Sequence, residues 1–157
     1  MSVNSKNLLI VFHSASGTIH AMIDAVVDGV ATAENENLQY QVRHALQATP
    51  SDVINADGII LATPENFGYM SGALKYFFDT IYYECLDHTQ GMPYALLIRG
   101  GNDGQGALQS VRRIVTGLAW QEIATPLLSK GEFDEAILAE CEELGAAFAV
   151  GLDAGIF

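Results

Sequence analysis

Short, continuous apolar runs alternate along this chain with longer segments in which apolar residues recur every three or four positions. The first apolar run, Leu8 to Phe12, has the pattern of a strand that is buried on both faces of a parallel sheet. In residues 18–31, which follow it, the apolar side chains lie along one stripe of a predicted helix. The chain therefore begins with a predicted strand followed by a predicted helix.

Four more segments have the pattern of strands. Polar and apolar side chains alternate in residues 39–46, and an apolar centre marks residues 57–63, with Pro64 expected to end that strand. Residues 94–99 and 120–124 are the predicted fourth and fifth strands. Together with the first run, these segments give five predicted strands.

Helical periodicity returns between these strands. A helix is predicted from the N-cap Ser71 to about Glu84, and another over residues 105–117. The last helix is predicted to begin at about Glu132, because acidic residues in its early turns suit a helix N-terminus. Residues 51–52 begin at most a short helical turn.

Five strands that alternate with helices predict an α/β fold, with a doubly wound, five-stranded parallel sheet and helices on both faces. Right-handed crossovers leave few strand orders, of which 2-1-3-4-5 is the simplest. No repeat or linker divides the chain, so residues 1–157 are expected to form a single domain. In such a sheet the ligand lies outside the carboxyl ends of the strands, so the loops after Phe12, Thr63 and Arg99 are the candidate site.

Charge and cysteine content narrow the function. Seven Lys and Arg residues against nineteen Asp and Glu residues give a net charge of −12, which excludes a basic surface for DNA or RNA and disfavours anionic membranes. The N-terminal apolar run is too short for a signal peptide or a membrane span, so the expected location is the cytoplasm. Cys85 and Cys141 form no Cys-x-x-Cys pair and are expected to be buried as small apolar side chains.

The three loops differ in composition and complement one another. The first, His13 to Thr18, combines hydroxyl side chains with one glycine ahead of a helix, an arrangement that can hold a phosphate or simply cap the helix. The second, Pro64 to Gly72, is long and carries two aromatic residues that could stack on a flat ring or merely cover the sheet. The third, Gly100 to Gly106, has four glycines. Together the loops suit a phosphorylated, planar heteroaromatic ligand.

Other chemistries do not fit these positions. The chain has neither a Gly-x-Gly-x-x-Gly after the first strand, nor a Walker loop, nor a Gly-x-Ser-x-Gly nucleophile elbow. The strand ends lack the acidic residues of a receiver domain. The histidines are scattered without metal spacing and are expected to be surface or hydrogen-bonded residues, so no metal site is predicted; they are His13, His20, His44 and His88.

Three segments resemble a known family. The loop His13 to Gly17 is similar to the phosphate loop of flavodoxin-fold proteins. The run ADGIILATPENFGYMSGALKYFFD, residues 56–79, resembles the central segment of bacterial flavodoxin-family NAD(P)H-dependent FMN reductases and quinone oxidoreductases. The RGGNDGQGA segment, residues 99–107, is also similar to that group. The resemblance extends over nearly the whole chain and implies a flavodoxin-like fold.

The resemblance implies FMN as cofactor, NAD(P)H as electron donor, and three groups of binding residues. The 5′-phosphate would be held by Ser14, Ser16, Gly17, Thr18 and the amide of Ile19. The isoalloxazine ring would lie against Pro64, Glu65, Asn66, Phe67 and Gly68. The pyrimidine side of the ring would be closed by Gly100, Gly101, Asn102, Asp103 and Gly104. Ile19 departs from the family, which usually has a hydroxyl residue there, so weaker FMN binding is expected.

No catalytic side chain is predicted, because the chemistry would take place at flavin N5. The implied reaction passes electrons from NAD(P)H through the flavin to a quinone, another small acceptor or a redox protein. A flavodoxin-type one-electron carrier is the main alternative, and a regulatory protein without flavin is a third. Tyr76 and Tyr83 lie opposite the apolar stripe of their helix, which predicts a homodimer through that helix.

Overall fold

The structure, a computed structural model, describes residues 5–33, 35 and 37–157; the predicted domain of residues 1–157 also includes 1–4, 34 and 36, which lie outside the described residues. Strands and helices alternate within the described ranges. The strands are β1 (Lys6–Phe12), β2 (Leu38–His44), β3 (Gly58–Asn66), β4 (Tyr69–Met70), β5 (Pro93–Gly100), β6 (Gln121–Glu122) and β7 (Leu127–Lys130). The helices are α1 (Gly17–Thr32), α2 (Pro50–Ile54), α3 (Gly72–Cys85), α4 (Gln105–Gly117) and α5 (Ala136–Asp153).

The main sheet is parallel and has the order β2-β1-β3-β5-β6, with β7 also paired to β5 and the short β4 antiparallel to β3. The predicted α/β fold and strand order 2-1-3-4-5 are confirmed, with β6 and β7 sharing the fifth place. The register pairs Phe12 with Ala62 and Pro64 with Arg99, so the loops after β1, β3 and β5 leave the same edge of the sheet.

The predicted fifth strand, residues 120–124, is wrong in extent. Only β6 lies there, paired with Pro93 and Tyr94, and the chain then leaves the sheet before β7 pairs with the last four residues of β5. Pro126 stands between the two pieces and has no N–H to give to a continuous ladder. The fifth place in the sheet is therefore filled by two short strands instead of one.

Two apolar cores lie on the two faces of the sheet, as expected for a strand buried on both sides. Along β1, Leu9 and Val11 contribute to the core under α3 and α4, whereas Leu8 and Ile10 contribute to the core under α1 and α5. Helices α1 and α5 pack closely, because Gly29 lies against the backbone of α5 and has no room for a Cβ. Both faces of the sheet are covered, so its carboxyl edge is the place where loops can bind a ligand.

The predicted helices agree with α1, α3 and α4, and α4 has the predicted bounds. Ser71 is the N-cap of α3, since its hydroxyl accepts from the Leu74 amide at 3.2 Å. The predicted start of the last helix at Glu132 is wrong by four residues. The Gly131 backbone is left-handed, with φ of 63°, and the Asp134 carboxylate accepts from the Ala136 amide at 2.9 Å, so α5 begins only there.

Cys85 and Cys141 are both buried free thiols, as the sequence predicts. Burial raises the pKa of the Cys85 thiol to about 11 and that of Cys141 to about 12, and the carboxylates of Glu84 and Glu140 add smaller effects in the same direction. At neutral pH both remain protonated and unreactive. They act as small core side chains.

Candidate functional site

The loop between β1 and α1, residues 13–18, has donors that the protein itself leaves unused. Ser16 is the N-cap of α1, yet its side chain accepts no hydrogen bond from the first turn of the helix. The Ser14 hydroxyl donates to the Ser16 carbonyl, and the hydroxyls of Ser16 and Thr18 lie 3.1 Å apart. Because the first amides of a helix have no partner within it, this loop presents N–H groups and hydroxyls to an anion.

Ile19 and Gly17 have different roles in this loop. The Ile19 side chain is only 2% exposed and packs in the core under α1, so only its amide can reach a ligand. This burial gives a physical reason for an apolar residue where the family usually has a hydroxyl. Gly17 is exposed, and a Cβ there would meet no atom within 4 Å, so a ligand can approach the backbone closely.

The segment after β3 is not the long loop that the sequence predicts. Strand β3 continues past Pro64 to Asn66, and Glu65 and Asn66 then pair with Met70 and Tyr69 of β4. Pro64 was expected to end the strand, but it pairs in register with Arg99. Strand β1 accompanies β3 only as far as Ala62, so one side of β3 has no partner at Pro64 and a residue without an N–H fits there.

The turn of this hairpin consists of Phe67 and Gly68, both in the left-handed region with φ of 53° and 70°. Two residues with positive φ are typical of a type I′ turn, which matches the twist of a β-hairpin. The Phe67 side chain is fully exposed and therefore has no structural contact that explains an aromatic residue in this strained conformation. The hairpin presents an aromatic ring at the sheet edge.

The hairpin is fixed to α4 along its length. A Cβ at Gly106 would overlap the Gly68 carbonyl, so only glycine allows the tip to lie against the first turn of α4. The Glu65 carboxylate accepts from the Ala107 amide at 3.2 Å, and the Ser110 hydroxyl accepts from the Met70 amide at 3.1 Å. At its base, the Ser71 amide donates to the Thr63 hydroxyl at 3.0 Å. These contacts hold Phe67 in place although its own side chain touches nothing.

The third loop, Gly100 to Gly104, lies next to the hairpin. A Cβ at Gly100 would be 3.5 Å from Glu65, which shows how closely the two segments approach. Of the four glycines in residues 100–106, only Gly104 has a positive φ, 73°, and it is the N-cap of α4. Asp103 accepts from the Gln105 amide at 3.0 Å and so also stabilises the start of α4, whereas Gly101 and Asn102 are exposed.

Arg99 is the basic residue nearest this loop, and its guanidinium is already engaged. It donates to the Gly100 carbonyl at 2.9 Å and to the Ser129 carbonyl at 3.1 Å, and it also reaches the Gly131 carbonyl. These bonds tie β5 to β7 and to the turn that follows. Arg99 therefore has a structural role, and the N-termini of α1 and α4 add positive potential at this edge.

Three of the four histidines, which the sequence suggested were scattered, lie together beside the first loop. The His13 and His44 rings are 5.5 Å apart, and the Phe12 ring contacts both His44 and His20 edge-on. The predicted strand order already placed the end of β2 beside the end of β1. The proximity of His13 and His44 could have been predicted from that order. Within the described ranges, no three His, Cys, Asp or Glu side chains are arranged as metal ligands.

All fifteen residues predicted to bind a cofactor lie at this one edge: in the loop after β1 and the first turn of α1, in the hairpin of β3 and β4, and in the end of β5 with the loop that follows it. The edge combines unused amide donors, an exposed aromatic ring and an exposed glycine-rich segment. A cavity of about 410 Å³ lies beside the hairpin and is lined in part by Tyr69, Lys75 and Arg113. An anionic group would suit the donors of the first loop, and a flat ring would suit the aromatic hairpin.

Comparison with known proteins agrees with this geometry. The solved structure of a flavodoxin from the domain Archaea superimposes with a TM-score of 0.80 at 20% identity, covering 93% of this chain and 98% of that one. The chain has the flavodoxin fold. A model of the NADPH-dependent FMN reductase family matches residues 30–134, and the chain belongs to that family. The matched segment contains the hairpin and the third loop but not the first loop.

Two curated relatives are similar over part of their length. One is a flavodoxin of Aquifex aeolicus, 26% identical over 111 residues, which are 71% of this chain and 59% of that protein. The other is an NAD(P)H dehydrogenase (quinone) of Geobacter sulfurreducens, 33% identical over an alignment of 95 positions that covers 46% of this chain and 47% of that protein. The chain thus spans about half the length of the curated relatives it matches.

Proposed function

We propose that this chain binds FMN at the carboxyl edge of its sheet and passes electrons from NAD(P)H to a quinone or another small acceptor. The observation that carries the proposal is the pairing of two features at one edge: an uncapped helix N-terminus after β1, and the exposed Phe67 ring on a rigid hairpin after β3. Membership of the NADPH-dependent FMN reductase family supports the same assignment.

The residues present fit FMN. Ser14, Ser16 and Thr18 would hold the 5′-phosphate with their hydroxyls, together with the amides of Gly17 and Ile19. The hairpin would bind one side of the ring through Pro64, Glu65, Asn66, Phe67 and Gly68. The ring's polar edge would be closed by Gly100, Gly101, Asn102, Asp103 and Gly104. Gly17 and Gly101 have open space where a Cβ would stand, as a closely approaching ligand needs.

When bound, FMN would supply the redox chemistry, which is acceptance of a hydride from NAD(P)H and later delivery of two electrons to the acceptor, with protons balanced by solvent. The chain orients the ring and shapes its potential. The Glu65 carboxylate, fixed by the Ala107 amide, places negative charge beside the ring site and makes the addition of electrons less favourable. The exposed turn and third loop leave the ring accessible to a small donor and acceptor.

The test is an absorbance spectrum of the purified chain before and after addition of FMN and then NADPH. The proposal predicts a perturbed flavin spectrum on binding, then loss of the visible flavin band with NADPH and its return with a quinone.

A flavodoxin-type one-electron carrier is the second candidate, favoured by the full-length match to an archaeal flavodoxin. It predicts FMN binding without steady-state oxidation of NADH or NADPH. A chain that leaves the FMN spectrum unchanged is the third candidate, a regulatory protein without flavin.

We also propose a homodimer through α3. Tyr76 is 55% exposed and Tyr83 is 83% exposed, on the face of α3 that points away from the core. Two large aromatic side chains on one outer face favour a partner surface. Sedimentation should show a dimer at micromolar concentration, which Tyr83→Glu should dissociate, and a monomer in the unsubstituted chain would contradict the proposal.

We propose that the chain acts as a single domain and that it is located in the cytoplasm. Within the residues described, no helix is long and apolar enough to cross a membrane. The net charge of −12 favours small acceptors or basic redox proteins over nucleic acids as partners.

A further inference from the structure

Two imidazole rings meet where the first loop begins. His13 is the residue directly after β1, and His44 is the last residue of β2, paired in register with Phe12. The ring centroids of His13 and His44 are 5.5 Å apart and nearly perpendicular, at 83°. His13 is thus both the first residue of the loop proposed to hold phosphate and one member of a histidine pair.

The two rings differ in their hydrogen bonds. Nδ1 of His44 accepts from the Leu46 amide at 3.1 Å, which fixes the neutral ring with its proton on Nε2, and a proton added at Nδ1 would break that bond. Nδ1 of His13 is buried, and the described residues give it no hydrogen-bond partner. A buried polar atom without a partner is uncommon in a native protein and calls for an explanation. Of the two rings, His13 is the one that can accept a proton without losing a bond.

The surroundings keep His13 neutral while the loop holds no anion. Burial lowers the pKa of His13, and the neighbouring His44 ring lowers it further. The elements around it carry further titratable or charged groups: Lys6 on β1, His20, Asp24 and Asp28 on α1, Tyr40 and Arg43 on β2, Glu65 on β3, and Asp52 on α2, which lies 3.9 Å from Arg43. Among the described residues no carboxylate lies within 4.0 Å of a histidine nitrogen, so the chain supplies no anionic partner.

The loop meanwhile lacks a cation of its own. Residues 13–18 contain neither Lys nor Arg, and the chain carries a net charge of −12. A phosphate monoester carries about −1.5 to −2 charges at neutral pH. A dianion held on the first turn of α1 would therefore be the missing negative partner of a protonated His13.

We propose that His13 takes up a proton when a phosphate monoester dianion binds in the loop of residues 13–18, and thereby supplies the positive charge that the loop lacks. The proposal rests on the assignment of this loop to the FMN phosphate. An anion beside the ring favours the protonated form, so the pKa of His13 is higher in the complex than in the free chain. Binding is then strongest below the pKa of the free chain and weakens as pH rises through the pKa of the complex, by up to about tenfold for each unit of difference.

Flavin titrations between pH 6.5 and 8.5 test this directly, with riboflavin as the ligand that has the same ring but no phosphate. We expect the FMN Kd to rise about three- to tenfold over this range and the riboflavin Kd to stay constant. The second ionisation of the phosphate itself, with a pKa near 6, acts in the opposite direction, which is why the range begins at pH 6.5. Calorimetry in two buffers with different heats of ionisation should show net proton uptake with FMN.

His13→Gln keeps a polar side chain that does not titrate, and it should abolish both the pH dependence and the proton uptake. His88→Gln is the matched control, because His88 is exposed near the end of α3, away from the carboxyl edge, and it should behave as the unsubstituted chain. Retention of the pH dependence in His13→Gln would overturn the proposal. A histidine NMR titration of the unsubstituted chain with inorganic phosphate gives the same answer without any variant, since the His13 resonance alone should shift its midpoint upwards.

The outcomes separate this proposal from the function on which it rests. FMN that binds with no proton uptake would overturn the role of His13 and leave the flavin site standing. FMN that does not bind, combined with an upward shift of His13 in inorganic phosphate, would overturn the flavin site and leave the proton uptake standing. Absence of both effects would overturn both.

Discussion

The hairpin after β3 and the loop after β1 lie at the same edge of the sheet but are stabilised in opposite ways. The hairpin has polar groups that are bonded within the protein: the Ala107 amide donates to Glu65, and the Met70 amide donates to Ser110. In the loop after β1, the N-cap side chain leaves the first turn of α1 unbonded, and the buried Nδ1 of His13 has no partner among the described residues.

The difference fits the proposed assignment of the flavin ring to the hairpin and of the phosphate to the first loop. A ring is held by shape, so its binding surface benefits from a rigid support that exists before the ligand arrives. A phosphate is held by donors, so its binding surface must leave N–H and O–H groups free for it. The hairpin therefore contributes to the stability of the free chain, whereas the first loop contributes to affinity only when an anion binds. Each prediction below separates these two contributions.

The largest effect on folding stability is expected from Gly106→Ala, which disrupts the contact between the hairpin and α4. The added Cβ overlaps the Gly68 carbonyl, so the hairpin tip must move, with a loss of about 1–3 kcal/mol in the free energy of unfolding. Urea denaturation measures this loss. Gly72→Ala is the matched control, since its Cβ meets open space at the start of α3 and should be neutral or stabilise by up to about 1 kcal/mol. Equal stability of the two variants would show that the hairpin is not fixed to α4.

Ser16→Ala should weaken FMN binding without changing stability. A hydrogen bond to a charged group contributes about 1.5–3 kcal/mol, so the FMN Kd should rise roughly 10- to 100-fold. The Kd of riboflavin should not change, and Ser51→Ala, at an exposed serine of α2, should leave both constants unaltered. Equal weakening of FMN and riboflavin would place Ser16 beside the ring instead of the phosphate.

Phe67→Ala should weaken both flavins by a smaller and equal factor. Aromatic stacking contributes about 0.5–1.5 kcal/mol, which corresponds to a roughly 2- to 10-fold rise in each Kd. The free energy of unfolding should stay the same, because the Phe67 side chain is fully exposed. Phe67→Tyr should restore affinity, and Tyr40→Ala, at another exposed aromatic residue, should have no effect on either ligand. A loss confined to FMN would contradict the stacking role.

The change at Glu65 is expected to alter the potential of the flavin and not its affinity. Glu65→Gln keeps an oxygen that can accept from the Ala107 amide but removes the negative charge, so the midpoint potential of the bound flavin should rise by roughly 30 mV. Spectroelectrochemical titration measures the potential, with Glu140→Gln as an exposed control on α5. An unchanged potential in Glu65→Gln would show that this carboxylate has no electrostatic influence on the ring.

The sequence predicted the layout of this molecule well, because the order of parallel strands follows from apolar periodicity and crossover handedness. It also predicted the edge at which the three loops meet. It did not predict the hairpin, because a proline normally ends a strand. Strand β3 can continue through Pro64 only because its neighbour β1 ends at Phe12 and needs no N–H from that position. The length of a neighbouring strand cannot be read at the position of the proline itself.

Two further features depended on distant contacts. Ile19 looked like a departure in a binding loop, whereas the fold uses it as a core residue and leaves only its amide at the site. His13 and His44 are far apart along the chain and meet only because β2 lies beside β1. Local patterns therefore predicted the elements, and tertiary packing determined which side chains are free to bind.

The central claim is that the phosphate of FMN is held by the loop after β1 and the ring by the hairpin after β3. Titration of the purified chain with FMN and with riboflavin, followed by quenching of flavin fluorescence, tests it most directly. The account predicts one FMN per chain, bound at least about tenfold more tightly than riboflavin. Equal affinity for the two flavins, or no binding of either, would contradict it.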